Sequence, residues 1–511
     1  MLSTEIEDMG TDQWLDDTRH AFVDIRTAWR MFTLTASIGG LQIIWSTITS
    51  NGTPFLLSLG FSKSATAIVW SIAPICGTLI QPYFGMVSDQ SKNVFGRRKP
   101  LMLGGAIAIS MSLLGFASSE SISNACLGLL SVQLSTHTAQ FVVKFVAVLW
   151  FCSLNISIQP LQVASRAFII ESCSPDEQIL AHAWASRVQG AGSILGYLLA
   201  SVSLPLTLPH GGMPQFTTLC FVASILLLGT VLLSCILVPG ESLHSRPAPA
   251  VQRSTFSAHV TILLQSMKRM PKPVRKICLI QCFSWMGWFP FLMYYTTYIS
   301  GIHQRSISSA GVDERTKNAV LAEALRIGSL TGLYLACLAC AANCALPPII
   351  KLLAISSKPD KGLPVTRYHD STEVSNVALV YVWTFAHAYF AIAMFLTFLV
   401  TSQTGSMMLV ASVGISWAVT LWVPYSLIGV LLSKQHQGFR GEPETGAVMG
   451  LHNAAISAPQ ILSALISSIV FAILNGADVS VVWTLRIGGC WAVVAAVCSW
   501  KLINDWGLLQ V

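Results

Sequence analysis

The residues with the clearest chemistry lie in one short segment, which reads Gly85-Met-Val-Ser-Asp89-Gln-Ser-Lys-Asn-Val-Phe-Gly96-Arg97-Arg98-Lys99-Pro100. Glycines allow the chain to reverse tightly. Asp89 closes one apolar run, and Arg97, Arg98 and Lys99 open the next. The cations can reach Asp89 and nearby helix C-termini. A charge clasp of this kind can form in one state and break in another, which is the chemistry of a gate. A bare basic run between two apolar stretches would be only a topological anchor. The joint occurrence of Gly, Asp and Gly-Arg-Arg-Lys points to gating.

Other candidates are ionisable or aromatic residues inside apolar stretches. A charge within a membrane is costly unless paired or wetted, so Arg166 and Arg326 are candidates for contact with cargo. The competing reading is an arginine that snorkels toward the membrane surface. Glu171 lies near a helix end, within reach of Arg166. Arg187 and Arg486 suit gates or helix interfaces. His387 and His452 could titrate near neutral pH, or could simply donate hydrogen bonds between helices. Trp285, Trp288, Phe289, Phe291, Tyr294, Tyr295 and Tyr298 make one segment aromatic. Aromatic faces stack on the C–H face of a sugar, but they also fill interfaces. Trp288 and Tyr295 are the candidates for lining a cavity. Cys337, Cys340 and Cys344 could share a helix face, but no His or acid accompanies them, so no metal is expected.

The elements that must hold these residues are membrane helices. The chain has 511 residues, 53% hydrophobic and only 10% charged. That is far below the roughly one quarter charged that is usual for soluble domains. Apolar runs of spanning length recur, at about 32–50, 65–87, 101–118, 143–169, 183–204, 217–237, 277–299, 324–348, 377–400, 407–432, 447–474 and 480–502. Backbone groups in hydrocarbon must pair internally, so each run is expected to be a helix. The expected fold is therefore all-α, with twelve transmembrane helices. The acidic first 30 residues lack the basic start and early apolar core of a signal peptide. Of 30 Lys and Arg, the alternate loops and tails on one side hold 21 and those on the other side hold 4. Basic residues favour the cytosolic side, so both termini are expected there, with the plasma membrane as the expected location. The net charge of +7 then reflects topology rather than nucleic-acid binding. Asn51-Gly52-Thr53 matches a glycosylation sequon at the outer mouth of the first span.

A Pro- and Lys/Arg-rich stretch at 238–276 divides the spans six and six. The expected organisation is a tail (1–30), a six-helix bundle (31–237), a cytosolic linker (238–276), a second bundle (277–503) and a short tail (504–511). Paired bundles of this kind are a common design of secondary transporters.

The Asp89–Lys99 loop resembles the signature of the major facilitator superfamily. More narrowly, it resembles the sucrose-transporter-like branch of the glycoside–pentoside–hexuronide:cation symporters, whose loops read SDxxxxxFGRRRP. Further stretches agree in order along the chain. Ile72-Ala-Pro74 through Gln81-Pro82 resembles the second helix. Ser165-Arg166-Ala167 resembles the RAL segment, Trp288-Phe289-Pro290-Phe291-Leu292 the WFPFL segment, and Arg326-Ile327-Gly328 the VRIG segment. Gly450-Leu-His452-Asn453 and Trp483-Thr-Leu-Arg486 resemble fungal members. The resemblance implies the major facilitator fold, a sugar or glycoside cargo, alternating access, and a transport role for Arg166 and Arg326. It departs at one place. The branch ties proton coupling to a carboxylate eleven residues before the matching arginine, and Asn155 stands there. An amide can bind a hydroxyl but cannot carry a proton. No Asp or Glu lies near the centre of any span. Glu171, His387 and His452 are then the groups that could substitute in coupling to protons.

The favoured function is a sugar or glycoside carrier that binds a small molecule in the bilayer, without cofactor or nucleic acid. The alternative is an exporter of a fungal secondary metabolite or toxin on the same fold. No paired acids, His cluster or nucleophile–base motif suits an enzyme.

Overall fold

The computed structural model describes residues 2–91, 93–129, 135–201, 214–239, 265, 267–268, 270–307, 314–356, 370–438, 445–474 and 477–508. Most of the expected linker, 238–276, lies outside the described residues. The elements of the first half are α1 (Leu2–Ser58), α2 (Lys63–Trp70), α3 (Ile72–Asp89), α4 (Lys99–Ala117), α5 (Ser119–Leu129), α6 (Thr136–Ser172), a 3-10 turn (Pro175–Glu177), α7 (Gln178–Ser201) and α8 (Gln215–Leu237). The second half holds α9 (Lys272–Ile307), α10 (Glu314–Ser356), α11 (Asp370–Leu396), α12 (Gln403–Ser412), α13 (Gly414–Gly438), α14 (Thr445–Ile473) and α15 (Ala477–Leu508).

Among the described residues there are 11 helices long and apolar enough to cross a membrane. The twelfth crossing is α7. It is 24 residues long but carries Gln178, His182, Arg187 and Gln189, which lower its hydropathy. The second and tenth crossings are each broken into two helices, α2–α3 and α12–α13, and the short α5 follows the third. The chain is thus all-α, with twelve helical crossings. The helix of the first crossing runs through Leu2–Ser58, so most of the expected tail is helical and continuous with that crossing. Asn51 lies within it as well, its amide donating to Ser50 Oγ at 2.8 Å.

The helices form two bundles. Within the first, α1 packs on α7 and α8, and α4 on α6 and α8. Within the second, α9 packs on α10, α14 and α15, and α11 on α13 and α15. Each bundle has its own apolar core. A third cluster crosses the seam, joining Val163, Ile170 and Ala183 to Leu427, Ile428, Val448 and Met449. Large apolar side chains remain exposed along outer faces, such as Phe141, Phe145 and Leu149 on α6 and Leu465, Ile469 and Ile473 on α14. Hydrocarbon contact leaves such a surface, whereas water-facing monomers rarely expose so much.

The seam is built for close approach between α3 and α14. A side chain added at Gly85 would collide with the Gly446 carbonyl, and one at Gly450 would meet Pro82 Cα at 2.5 Å. Small residues at helix contacts let backbones pack closely in a membrane.

Candidate functional site

The first layer of the site closes one end of the seam. Asp89, at the end of α3, accepts from the Gly446 N–H and the Ala447 N–H, both at 2.8 Å. Those amides are the first turn of α14, where backbone donors lack helical partners and the helix dipole favours an anion. A carboxylate of the first bundle therefore caps a helix of the second. Arg98 holds Asp89 from behind, donating to Oδ1 at 2.5 Å and to Ser88 Oγ at 2.6 Å. The same guanidinium pairs with Glu171, with Nε at 2.9 Å from Oε2 and Nη2 against Oε1. Arg97 adds a looser contact to Glu171 at 3.9 Å. Burial alone would lower the affinity of Arg98 for its proton, but Glu171 and Asp89 outweigh it and raise that affinity, so it stays a cation. Gly96 turns the loop at φ 95°, a left-handed conformation that glycine adopts freely.

Not every expected gate residue spans the seam. Lys99 donates to the Val238 carbonyl at 2.8 Å, just past the end of α8, and so pins two helices of one bundle. Glu171 was expected near Arg166 and as a coupling candidate. It is instead engaged by Arg98 and Arg97, because the loop basic residues reach it first. A second clasp ties α1 to the 3-10 turn, where Arg30 donates to Glu177 at 2.5 Å. Burial would raise the Glu177 carboxyl, but Arg30 and the Ser174 N–H hold it below its ordinary value.

The second layer lies deeper. Arg166 is six residues from the end of α6, about 9 Å at 1.5 Å per residue. It is buried, with the guanidinium carbon 3.9 Å from the Tyr425 ring centre on α13. Arg166 Nη2 donates to Gln189 Oε1 at 3.3 Å, and Gln189 donates in turn to Gln42 at 3.0 Å. Arg166 thus faces an aromatic ring of the other bundle rather than an acid. His182 of α7 stacks on the opposite bundle's Tyr425 at 6.1 Å, and His452 of α14 meets that ring edge-on at 4.8 Å. His452 also lies 3.4 Å from Gln281 Nε2 of α9.

Above this layer α6 presents a polar stripe, Asn155, Gln159, Gln162 and Arg166, at the four–three–four spacing of one helix face. Gln162 donates to Asn453 Oδ1 at 3.1 Å across the seam. Asn453 in turn donates to the Gly77 carbonyl at 3.3 Å. Asn155 turns back on its own helix, donating to the Phe151 carbonyl at 2.8 Å, while its backbone carbonyl accepts from Gln159 at 2.7 Å. Nearer the other end, Tyr295 is half-buried, stacks on Phe291, and sets its hydroxyl beside Gly332 of α10.

Three expected site residues lie elsewhere. Trp288 does not line a cavity: it is only 1% exposed and packs against Phe291, Phe390 and Trp417. Its ring points into the second bundle because that face of α9 meets α11 and α13. His387 sits beside Trp383 on α11, a helix that packs on α13 and α15 of its own bundle. Arg326 is 75% exposed at its side chain and pairs with Glu323 one turn earlier at 3.0 Å. Conversely, His182, Gln162, Gln189 and Tyr425 belong to the site and were not anticipated. The stripe spacing on α6 was the available signal for Gln162. Nothing in the sequence links Tyr425 to Arg166.

Comparison with known proteins bears on the family and the fold. The general alpha-glucoside permease of Schizosaccharomyces pombe is 30% identical over 92% of this chain and 93% of its own length. The sucrose transport protein SUT3 of Oryza sativa subsp. indica is 25% identical, over 51% of this chain and 53% of its own. Among solved structures, a bacterial homologue of the iron transporter ferroportin in an outward-facing state superposes with a TM-score of 0.60 at 12% identity, covering 92% of this chain and 98% of that one. The proton:xylose symporter XylE superposes at 0.52 with 14% identity, covering 93% of this chain and 96% of that one. At such identities these structures speak for the fold alone. The model of the MFS/sugar transport protein family matches residues 38–402, and with that match and the near-full-length permease relative, the chain belongs to this family of membrane transporters.

Proposed function

We propose that the protein carries an α-glucoside such as maltose or sucrose across the plasma membrane by alternating access between its two bundles. The observation that carries this reading is the Asp89 cap on α14. It is a charged contact between the two bundles, closing one end of the seam. The charge bias of the loops supports placing that end, and both termini, in the cytosol. The α-glucoside cargo follows from the permease relative, and the side chains at the seam suit it. Gln162, Gln189, Asn453 and Tyr295 offer amides and a hydroxyl for sugar hydroxyls rather than a full charge.

Coupling to protons through the branch's usual acid is absent in this reading. Asn155 occupies that position and cannot ionise. The two acids nearest the seam, Asp89 and Glu171, are both engaged by Arg98. The transporter then equilibrates its cargo, unless His182 or His452 at the seam carries the proton.

Uptake of labelled maltose, sucrose and methyl-α-glucoside, in cells lacking other glucoside carriers and at several external pH values, tests the cargo. Saturable uptake of at least one is expected. No glucoside uptake, together with altered tolerance to a hydrophobic toxin, would replace this reading with export. Purified protein in vesicles with an imposed pH gradient tests the coupling. Strong accumulation that survives replacement of the histidines and Glu171 would overturn its absence.

A further inference from the structure

A proline inside a helix frees a carbonyl. The residue four positions before it loses its N–H donor, because proline has none. In a membrane, that carbonyl is satisfied by a neighbouring helix, a nearby side chain, water or a local adjustment of the helix. This protein meets the need in two different ways. Pro290 of α9 frees the Met286 carbonyl, which accepts from Ser463 Oγ of α14 at 3.0 Å. Both helices belong to the second bundle, so that bond need not change as the bundles move. Pro347 of α10 frees the Asn343 carbonyl, which accepts from Arg187 Nε at 3.1 Å. Arg187 stands on α7, in the first bundle. Its guanidinium also lies over the Trp184 ring at 5.3 Å, which fixes its direction.

We infer that Arg187 and the carbonyl exposed by Pro347 form a latch between the bundles, holding the Asp89 end of the seam shut and releasing when that end opens. The bond joins α7 to α10, a different pair of helices from the α3–α14 contact. The two together clamp the seam at two helix pairs. The Asn343 side chain is buried and neither its Oδ1 nor its Nδ2 has a hydrogen-bond partner. Water entering an opened seam satisfies that amide and the released carbonyl, so opening exchanges one polar partner set for another. Any other residue at 347 would return an N–H to the Asn343 carbonyl and make Arg187 redundant.

Cys340 reports this seam, since it lies within 3.5 Å of where a side chain on Gly190 of α7 would stand. Full-length protein retaining Cys340 as its only cysteine, in inside-out vesicles, is reacted with a membrane-impermeant maleimide. A hydrogen bond from a charged donor shifts an equilibrium by about tenfold or more. R187Q is therefore expected to raise the Cys340 reaction rate about tenfold, with R187K between the two. P347A, keeping Arg187, is expected to raise it as well, and R187Q in the P347A background to add less than twofold. Unchanged labelling in R187Q and R187K would overturn the latch. So would unchanged labelling in P347A, or a double variant equal to the product of the singles. If R187Q does not reach the membrane, R187K and P347A decide. The latch presupposes alternating access, and the same labelling separates the two failures. A parent protein whose Cys340 never reacts from that side, with or without maltose, counts against alternating access itself.

Discussion

Replacing Asp89 with asparagine keeps the size of the gate residue and removes its charge. In the wild type, one carboxylate accepts from two α14 amides at 2.8 Å and from Arg98 at 2.5 Å. Asparagine has one acceptor oxygen, and its NH2 group must then face either an α14 N–H or the guanidinium, donor against donor. One charge-assisted bond is lost outright and another weakens to a neutral one. A bond to a charged group contributes about 1.5–3 kcal/mol net, so the loss is on the order of 2 kcal/mol. At 1.4 kcal/mol per decade, the balance between closed and open forms of this end moves about thirtyfold toward open. The assay pairs glucoside uptake at low substrate with maleimide labelling of Cys340 from the cytosolic side. D89N should lower uptake at least fivefold, by depopulating the form that receives cargo from outside, and should speed labelling by about the factor above. D89A, lacking any acceptor, should go further. If both variants transport and label within twofold of wild type, the Asp89 cap is not a gate.

Three other perturbations read out neighbouring parts of the site. Y425F keeps the ring beneath Arg166 and should transport within about threefold of wild type, whereas Y425A loses a buried cation–π contact of about 2 kcal/mol and should fall more than tenfold in uptake. G446A introduces a methyl that would lie 2.8 Å from both Arg98 Nη1 and Asp89 Oδ1. It should reach the membrane in normal amount, yet fail to close its inner end, measured as fast Cys340 labelling with little uptake. G96A meets no atom within 4 Å, so its cost is backbone strain alone, about 1–2 kcal/mol at a left-handed position. A thermal melt in detergent should show that loss, with G96N milder, and similar melts for G96A and wild type would count against the strain.

The fold was legible because hydrocarbon imposes one rule on every segment. An apolar run long enough to span must be a helix, and basic residues gather on one side. Both signals are local in sequence. The departures have local physical reasons. α7 carries the polar residues that reach across the seam, so its mean hydropathy falls below that of its neighbours although it spans. The first helix extends through the acidic stretch because nothing there breaks it: no proline and only one glycine, Gly10, precede Gly39.

The site was legible only where its partners lie close in sequence or share one helix face. Asp89 and Arg98 are nine residues apart, and a loop reading brings them together without any tertiary knowledge. Their other partners cannot be read that way. The Gly446 and Ala447 amides carry no side-chain signature, since any residues at the start of α14 would offer them. Arg166 invites pairing with an acid, and Glu171 is near in sequence, but five residues on a helix is 500° of turn, which separates their faces by about 140°. Glu171 therefore faces the loop arginines while Arg166 faces the seam and Tyr425. The same geometry explains Trp288. An aromatic helix has rings on every side, and only its neighbours decide which of them see a cavity. Prolines offer a way around this limit. Pro290 and Pro347 each announce a carbonyl, four residues earlier, that has lost its helical donor. The sequence thus marks positions open to a cross-helix bond, and only the fold reveals that Ser463 answers one and Arg187 the other.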